Sequence, residues 1–117
     1  MSRMLRTVLQ SNWYYANEFD LAKISEKHRV EVEAYTTLEK ANYDQMPCGS
    51  TYSCRENFGK TIEHCRNVIR GDRLKGFFMA PWYYCTQEEG RGKIMESLDV
   101  MAEEIARQRE TVAHPTK

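Results

Sequence analysis

The chain has no surplus of charge of either sign: Lys and Arg together number 17, and so do Asp and Glu. Nucleic acids and acidic membrane surfaces are met by a basic surplus, so neither is an expected partner. Long hydrophobic runs are missing as well. No apolar stretch approaches the roughly 20 residues needed to span a bilayer. The opening MSRMLRTVLQSNWYY has two arginines but only a short, broken apolar segment, with no small-residue cleavage site. It does not read as a signal peptide, and a cytoplasmic location is expected. Cysteine is sparse, and none of Cys48, Cys54, Cys65 and Cys85 forms a C-x-x-C pair. Free thiols are expected rather than a disulfide framework. The glycines form neither G-x-G-x-x-G nor a P-loop, so no phosphate-bearing cofactor is implied.

What is present reads as one globular domain, since 117 residues are too few for two comfortable cores. Three stretches look like short buried strands: Thr7–Trp13 (TVLQSNW), Tyr43–Cys48 (YDQMPC) and Leu74–Ala80 (LKGFFMA). The second is poor in β-branched residues. A helical pattern follows each. Val30, Ala34, Leu38 and Ala41 make the first apolar stripe, and Phe58, Ile62, Cys65 and Ile69 the second. Ile94, Leu98, Met101 and Ile105 make the third. Ser53 with Glu56, and Thr86 with Glu89, have the spacing of capping boxes. Gly90 and Gly92 would each weaken the third helix by about 1 kcal/mol. The tail is expected to fray from about Thr111.

The order β-α-β-α-β-α implies an α/β fold: three successive βα units with a parallel sheet and right-handed crossovers. If the strands lie side by side in chain order, all three helices fall on one face, and the other face is bare. Parallel sheets normally have both faces covered. Either the strand order reverses, as in doubly wound folds, or residues 1–117 form a single partial-barrel domain, an arc of a (β/α)8 barrel.

On both solutions the strand C-terminal ends gather on one edge, where ligands bind in such folds. The residues there are Asn12 to Tyr15, Cys48 to Tyr52, and Pro81 to Tyr84. Both tryptophans and five of the seven tyrosines fall in these segments. A flat aromatic ring at such a rim can stack on the face of a sugar, or can simply close the end of the core.

The stretch LKGFFMAPW resembles the last barrel strand of family 20 glycoside hydrolases, the β-N-acetylhexosaminidases, which leads to a tryptophan in the sugar pocket. QSNWYY looks like the sixth strand of those barrels, which also ends at a tryptophan. YDQMPCGSTYSC looks like the seventh, after which a tyrosine commonly reaches the sugar. From SNWYY to MAPW the chain is also similar to the C-terminal end of uncharacterised bacterial barrels related to that family. The resemblance implies a carbohydrate ligand met by Trp13, Tyr52 and Trp82, with Asn12 and Tyr83 beside them. Two departures stand out. Tyr83 occupies a position that is usually acidic in the family. The family's catalytic Asp-Glu pair, which lies after the fourth strand, has no counterpart here.

Catalysis by this chain alone is therefore not expected. Glycoside hydrolysis needs two carboxylates about 5–10 Å apart. Glu56 and Glu89 are accounted for by capping, and Asp44 sits early in its strand, which leaves only Glu18 with Glu88. Cys48, Cys54 and Cys85 share an edge, but no histidine accompanies them, so no metal is expected. His64 and Cys65 point about 100° apart on a helix and cannot form a nucleophile–base pair. The implied protein is the last part of a glycoside-hydrolase-like barrel, needing no cofactor and acting as a homo-oligomer or with the remainder of a larger barrel. Its contact surface would be the bare sheet face, with Val8 and either Phe77 or Phe78. The alternative is a small self-contained α/β binding or oligomerisation module with an aromatic rim.

Overall fold

A computed structural model describes residues 4–113, with side chains described through residue 110. The chain divides into two compact units, residues 1–80 and 81–117. It is a mixed α/β structure with a two-stranded parallel sheet and three helices. The elements are α1 (Glu26–Lys40), β1 (Cys48–Gly49), α2 (Asn57–Val68), β2 (Phe78–Met79) and α3 (Glu88–Ala113). Among the described residues no helix is long and apolar enough to cross a membrane.

The first unit holds the sheet, α1 and α2. Cys48 pairs with Phe78 and Gly49 with Met79, both parallel. Isolated parallel bridges extend this pairing. Gln10↔Gln45 and Trp13↔Cys48 lay the 10–13 segment along one side of β1, and Gln45↔Leu74 continues the other side. The three extended segments therefore lie in chain order, the first of the two arrangements that the βα alternation leaves open. They are shorter than expected. Residues 7–9 are not a strand: the Val8 N–H closes a turn on the Leu5 carbonyl. Bridging begins at Gln10; before it, Met4 and Arg6 meet the Tyr43 side chain rather than a strand backbone.

Both helices of this unit cover the same side of those segments. The Gln45 side chain donates to the Tyr35 carbonyl on α1 at 3.0 Å. A Cβ on Gly49 would sit 3.0 Å from the Phe58 Cα on α2. Between helices and strands lies the core of Tyr14, Val32, Tyr35, Cys65 and Ile69, with Phe19, Leu74 and Phe77 packed against it. The stripe expected on α2 is the one observed: Phe58, Ile62, Cys65 and Ile69 are all buried. On α1 the buried residues are Val32, Tyr35 and Leu38, whereas Val30 is 65% exposed. The bulk of the Tyr35 ring turns that face of the helix inward. Ser25 caps α1 by accepting from the His28 N–H.

The expected capping box at Ser53 is not formed. Glu56 is the N-cap of α2 and makes no side-chain capping bond. Its carboxylate accepts from the Cys54 thiol at 2.8 Å instead.

A bulge decides which phenylalanine faces the helices. Three residue steps separate Gln45 from Cys48, but four separate their partners Leu74 and Phe78. The extra residue falls around Gly76, whose φ of +148° is disfavoured for any side chain. Phe77 consequently packs edge-on to Phe58 of α2, at 6.5 Å between ring centroids. Phe78 turns to the opposite face.

The second unit carries the PWYYC segment and α3. The first helical bond of α3 runs from the Arg91 N–H to the Gln87 carbonyl, which makes Gln87 rather than Thr86 the cap. Of the expected stripe, Ile94 and Met101 are half-buried, while Leu98 and Ile105 are exposed; among the described side chains of α3 the buried positions are Gly90, Ser97 and Val100. The helix continues through Ala113, past the expected fraying point near Thr111, and residues 114–117 lie outside the described range.

Candidate functional site

Side chains alternate across an extended segment, so Asn12 and Tyr14 point one way, Trp13 and Tyr15 the other. The Asn12 amide donates to the Glu31 carbonyl on α1 at 2.8 Å. Tyr14 is buried, donates its hydroxyl to the Glu18 carbonyl at 2.6 Å, and meets Phe19 and His28 edge-on. Both residues thus serve the helix side. Burial raises the Tyr14 pKa above the usual phenol value.

The opposite face has no helix of the first unit against it. Trp13, Cys48 and Phe78 form one row across it, because parallel partners in register project to the same side. Trp13 is 57% exposed and Phe78 47%, with buried Cys48 between them. The rings of Trp13 and Tyr15 are nearly parallel, inclined by 16° with centroids 6.4 Å apart. The Tyr15 hydroxyl lies 3.6 Å from the Cys48 Sγ. The result is an aromatic surface with one hydroxyl and one thiol set into it. Tyr15 is placed at the rim by the sequence but not among the expected sugar-binding residues, although its spacing of two from Trp13 is the signal that pairs them.

The loop beyond β1 is held at the same end. The Ser50 hydroxyl donates to the Ala80 carbonyl at 2.6 Å and accepts from the Tyr52 N–H at 3.0 Å. Tyr52 is exposed. Trp82 and Tyr83 belong to the second unit. Trp82 is exposed and has a φ of +60°, a left-handed conformation that is costly for a bulky residue. The first unit therefore brings Trp13 together with Tyr15 and Cys48, and it turns Asn12 to the other face.

Glu18 accepts from the Asp20 N–H, while Glu88 begins α3 in the second unit. The hydrogen bond from Cys54 is the main reason the Glu56 carboxyl is held below its usual range, and the Cys54 sulfur also accepts from the Asn17 amide. Among the described residues no group of three or more His, Cys, Asp or Glu could hold a metal ion. The cysteines are free thiols. Cys65 is buried, which pushes its thiol pKa up and leaves it a core residue.

No family model matches the chain, and neither a curated protein nor a solved structure matches it.

Proposed function

We propose that the first unit is an arc of a (β/α)8-type barrel of glycoside-hydrolase ancestry, and that the face of its extended segments turned away from α1 and α2 is a carbohydrate-binding surface. The observation that carries this reading is the Trp13–Cys48–Phe78 row, with Tyr15 beside Trp13, on the side away from α1 and α2. In a closed barrel that side is the interior, and its C-terminal end is the ligand end. Sugars offer flat patches of C–H groups, which aromatic faces meet while hydroxyls take up hydrogen bonds. Trp13 and Tyr15 supply the faces, and the Tyr15 hydroxyl supplies a polar group. Tyr52 stands on the loop at the same end. The Asp-Glu pair of the resembled family has no counterpart in the sequence, so the role proposed is sugar binding rather than hydrolysis.

A glycan array is the direct test. The full chain is expected to bind a restricted set of N-acetylhexosamine-containing glycans, and Trp13→Ala is expected to abolish binding. The same array with Trp82→Ala tests the aromatic segment of the second unit on its own account. Failure of the full chain to bind any glycan would contradict the reading, as would turnover of an aryl N-acetylglucosaminide by the isolated chain.

A second reading has its own observation. Phe78 and Trp13 leave large apolar surface on a parallel sheet that normally has both faces covered. We infer that this face also meets a second copy of the chain or the remaining strands of a barrel. Sedimentation equilibrium is expected to show association that weakens in Phe78→Thr.

A further inference from the structure

We propose that Asn57 is the positioning residue for the aromatic face. Its side chain is fully buried at the first position of α2. The amide nitrogen donates to the Tyr14 carbonyl at 3.1 Å and to the Ala16 carbonyl at 2.7 Å. Those two carbonyls bracket Tyr15. The amide oxygen accepts from the Ser50 N–H at 3.0 Å. Ser50 in turn holds Ala80 through its hydroxyl and Tyr52 through the N–H that the hydroxyl accepts. One buried amide thus ties together the chain leaving all three extended segments.

The chemistry requires an amide. Two carbonyls and one N–H converge on the site, so the residue must donate twice and accept once from a planar group. Asn does this with all three bonds made, while aspartate would set a negative oxygen against two carbonyl oxygens. The segment held most directly is the one carrying Tyr15. Alternation fixes which side the Tyr15 ring takes, but residues 14–16 lie beyond the last bridge at Trp13. The Asn57 bonds do there what strand pairing does further back. They set the tilt of the Tyr15 ring against Trp13 and keep its hydroxyl over Cys48. As a device of a ligand site this rests on the carbohydrate reading; the placement of the ring does not.

The test reads Cys48 rather than sugar. The full-length chain is treated with iodoacetamide, and alkylation of each cysteine is followed by mass spectrometry. Asn57→Asp is compared with Ile62→Val, a core variant one turn along α2, at temperatures equally far below their melting points. Cys48 is expected to react at least tenfold faster in Asn57→Asp than in Ile62→Val, and the Trp13 indole N–H resonance is expected to shift only in the former. Tyr15→Phe should also speed alkylation, which calibrates the readout. Equal alkylation rates and an unmoved indole resonance in Asn57→Asp would overturn the proposal. Should that variant not fold, Asn57→Ser carries the same readout. Loss of folding in both makes Asn57 a folding residue and also overturns the proposal. If glycan binding is absent while Cys48 reactivity still follows Asn57, the clamp stands and the carbohydrate reading falls.

Discussion

The two faces of the extended segments in the first unit are built by different rules. On the helix side every large group has a neighbour: Phe77 meets Phe58, Tyr14 meets Phe19 and His28, and the Gln45 amide reaches α1. On the other side the same segments show Trp13 and Phe78 half-exposed around a buried thiol. Burial on the first side supplies the stability of the unit. On the second side, apolar surface is left in water at a cost of roughly 25 cal/mol per Å². This contrast between the two faces is what supports the proposed function.

The contrast can be broken most forcefully from the covered side. Phe58→Ala removes a fully packed ring between α2 and the strands and is expected to lower stability by about 3–5 kcal/mol in urea unfolding. A loss below about 1 kcal/mol would mean that the helix side is not the core. Next comes the bulge. Gly76→Ala forces a side chain into a φ of +148° and is expected to cost ~1–3 kcal/mol. Its methyl would also approach the Met46 Cε, 3.5 Å away from the Cβ position. Should Gly76→Ala prove neutral, the bulge and the outward turn of Phe78 would be in doubt.

Acid provides a subtler probe of the same covered side. His64 lies against Phe19, with ring centroids 4.7 Å apart, and burial holds its pKa below the ordinary value near 6.5. The folded state then binds less proton than the unfolded chain below that value. Stability from this residue is complete above about pH 6.5 and declines as pH falls toward the depressed folded pKa. Urea midpoints measured from pH 8 to pH 5 should fall in the native chain and fall less in His64→Gln. Equal slopes would remove His64 from the account. The smallest effect is expected on the open side. Phe78→Thr exchanges one strand-favouring residue for another, and should change stability by less than about 1 kcal/mol.

Much of the covered side was legible in the sequence. The α2 stripe of Phe58, Ile62, Cys65 and Ile69 has helical spacing and few polar interruptions, so pattern and burial coincide. On the first helix the stripe expected from Val30 omits Tyr35, whose ring fills the core while Val30 is exposed. The Tyr35 hydroxyl has no hydrogen-bond partner among the described residues, and burial drives its pKa upward. The capping box at Ser53 failed for a tertiary reason. Asn57 is drawn inward by two loop carbonyls, and Glu56 is taken by Cys54, so the helix starts where those contacts allow. On the open side, Trp13 was identified from its place at a strand end, and its partner Tyr15 follows from alternation. The choice between Phe77 and Phe78 could not be read, because one extra residue around Gly76 reverses the alternation; a glycine inside a strand marks a possible bulge but does not say that one forms.

The most direct measurement is carbene footprinting of the aromatic residues across a dilution series, with mass monitored alongside. Trp13 and Phe78 should label strongly at the lowest concentration, where the chain is monomeric, and less as association proceeds; Phe58 and Tyr35 should stay unlabelled throughout. Protection of Trp13 and Phe78 in the dilute monomer, equal to that of Phe58, would contradict the account.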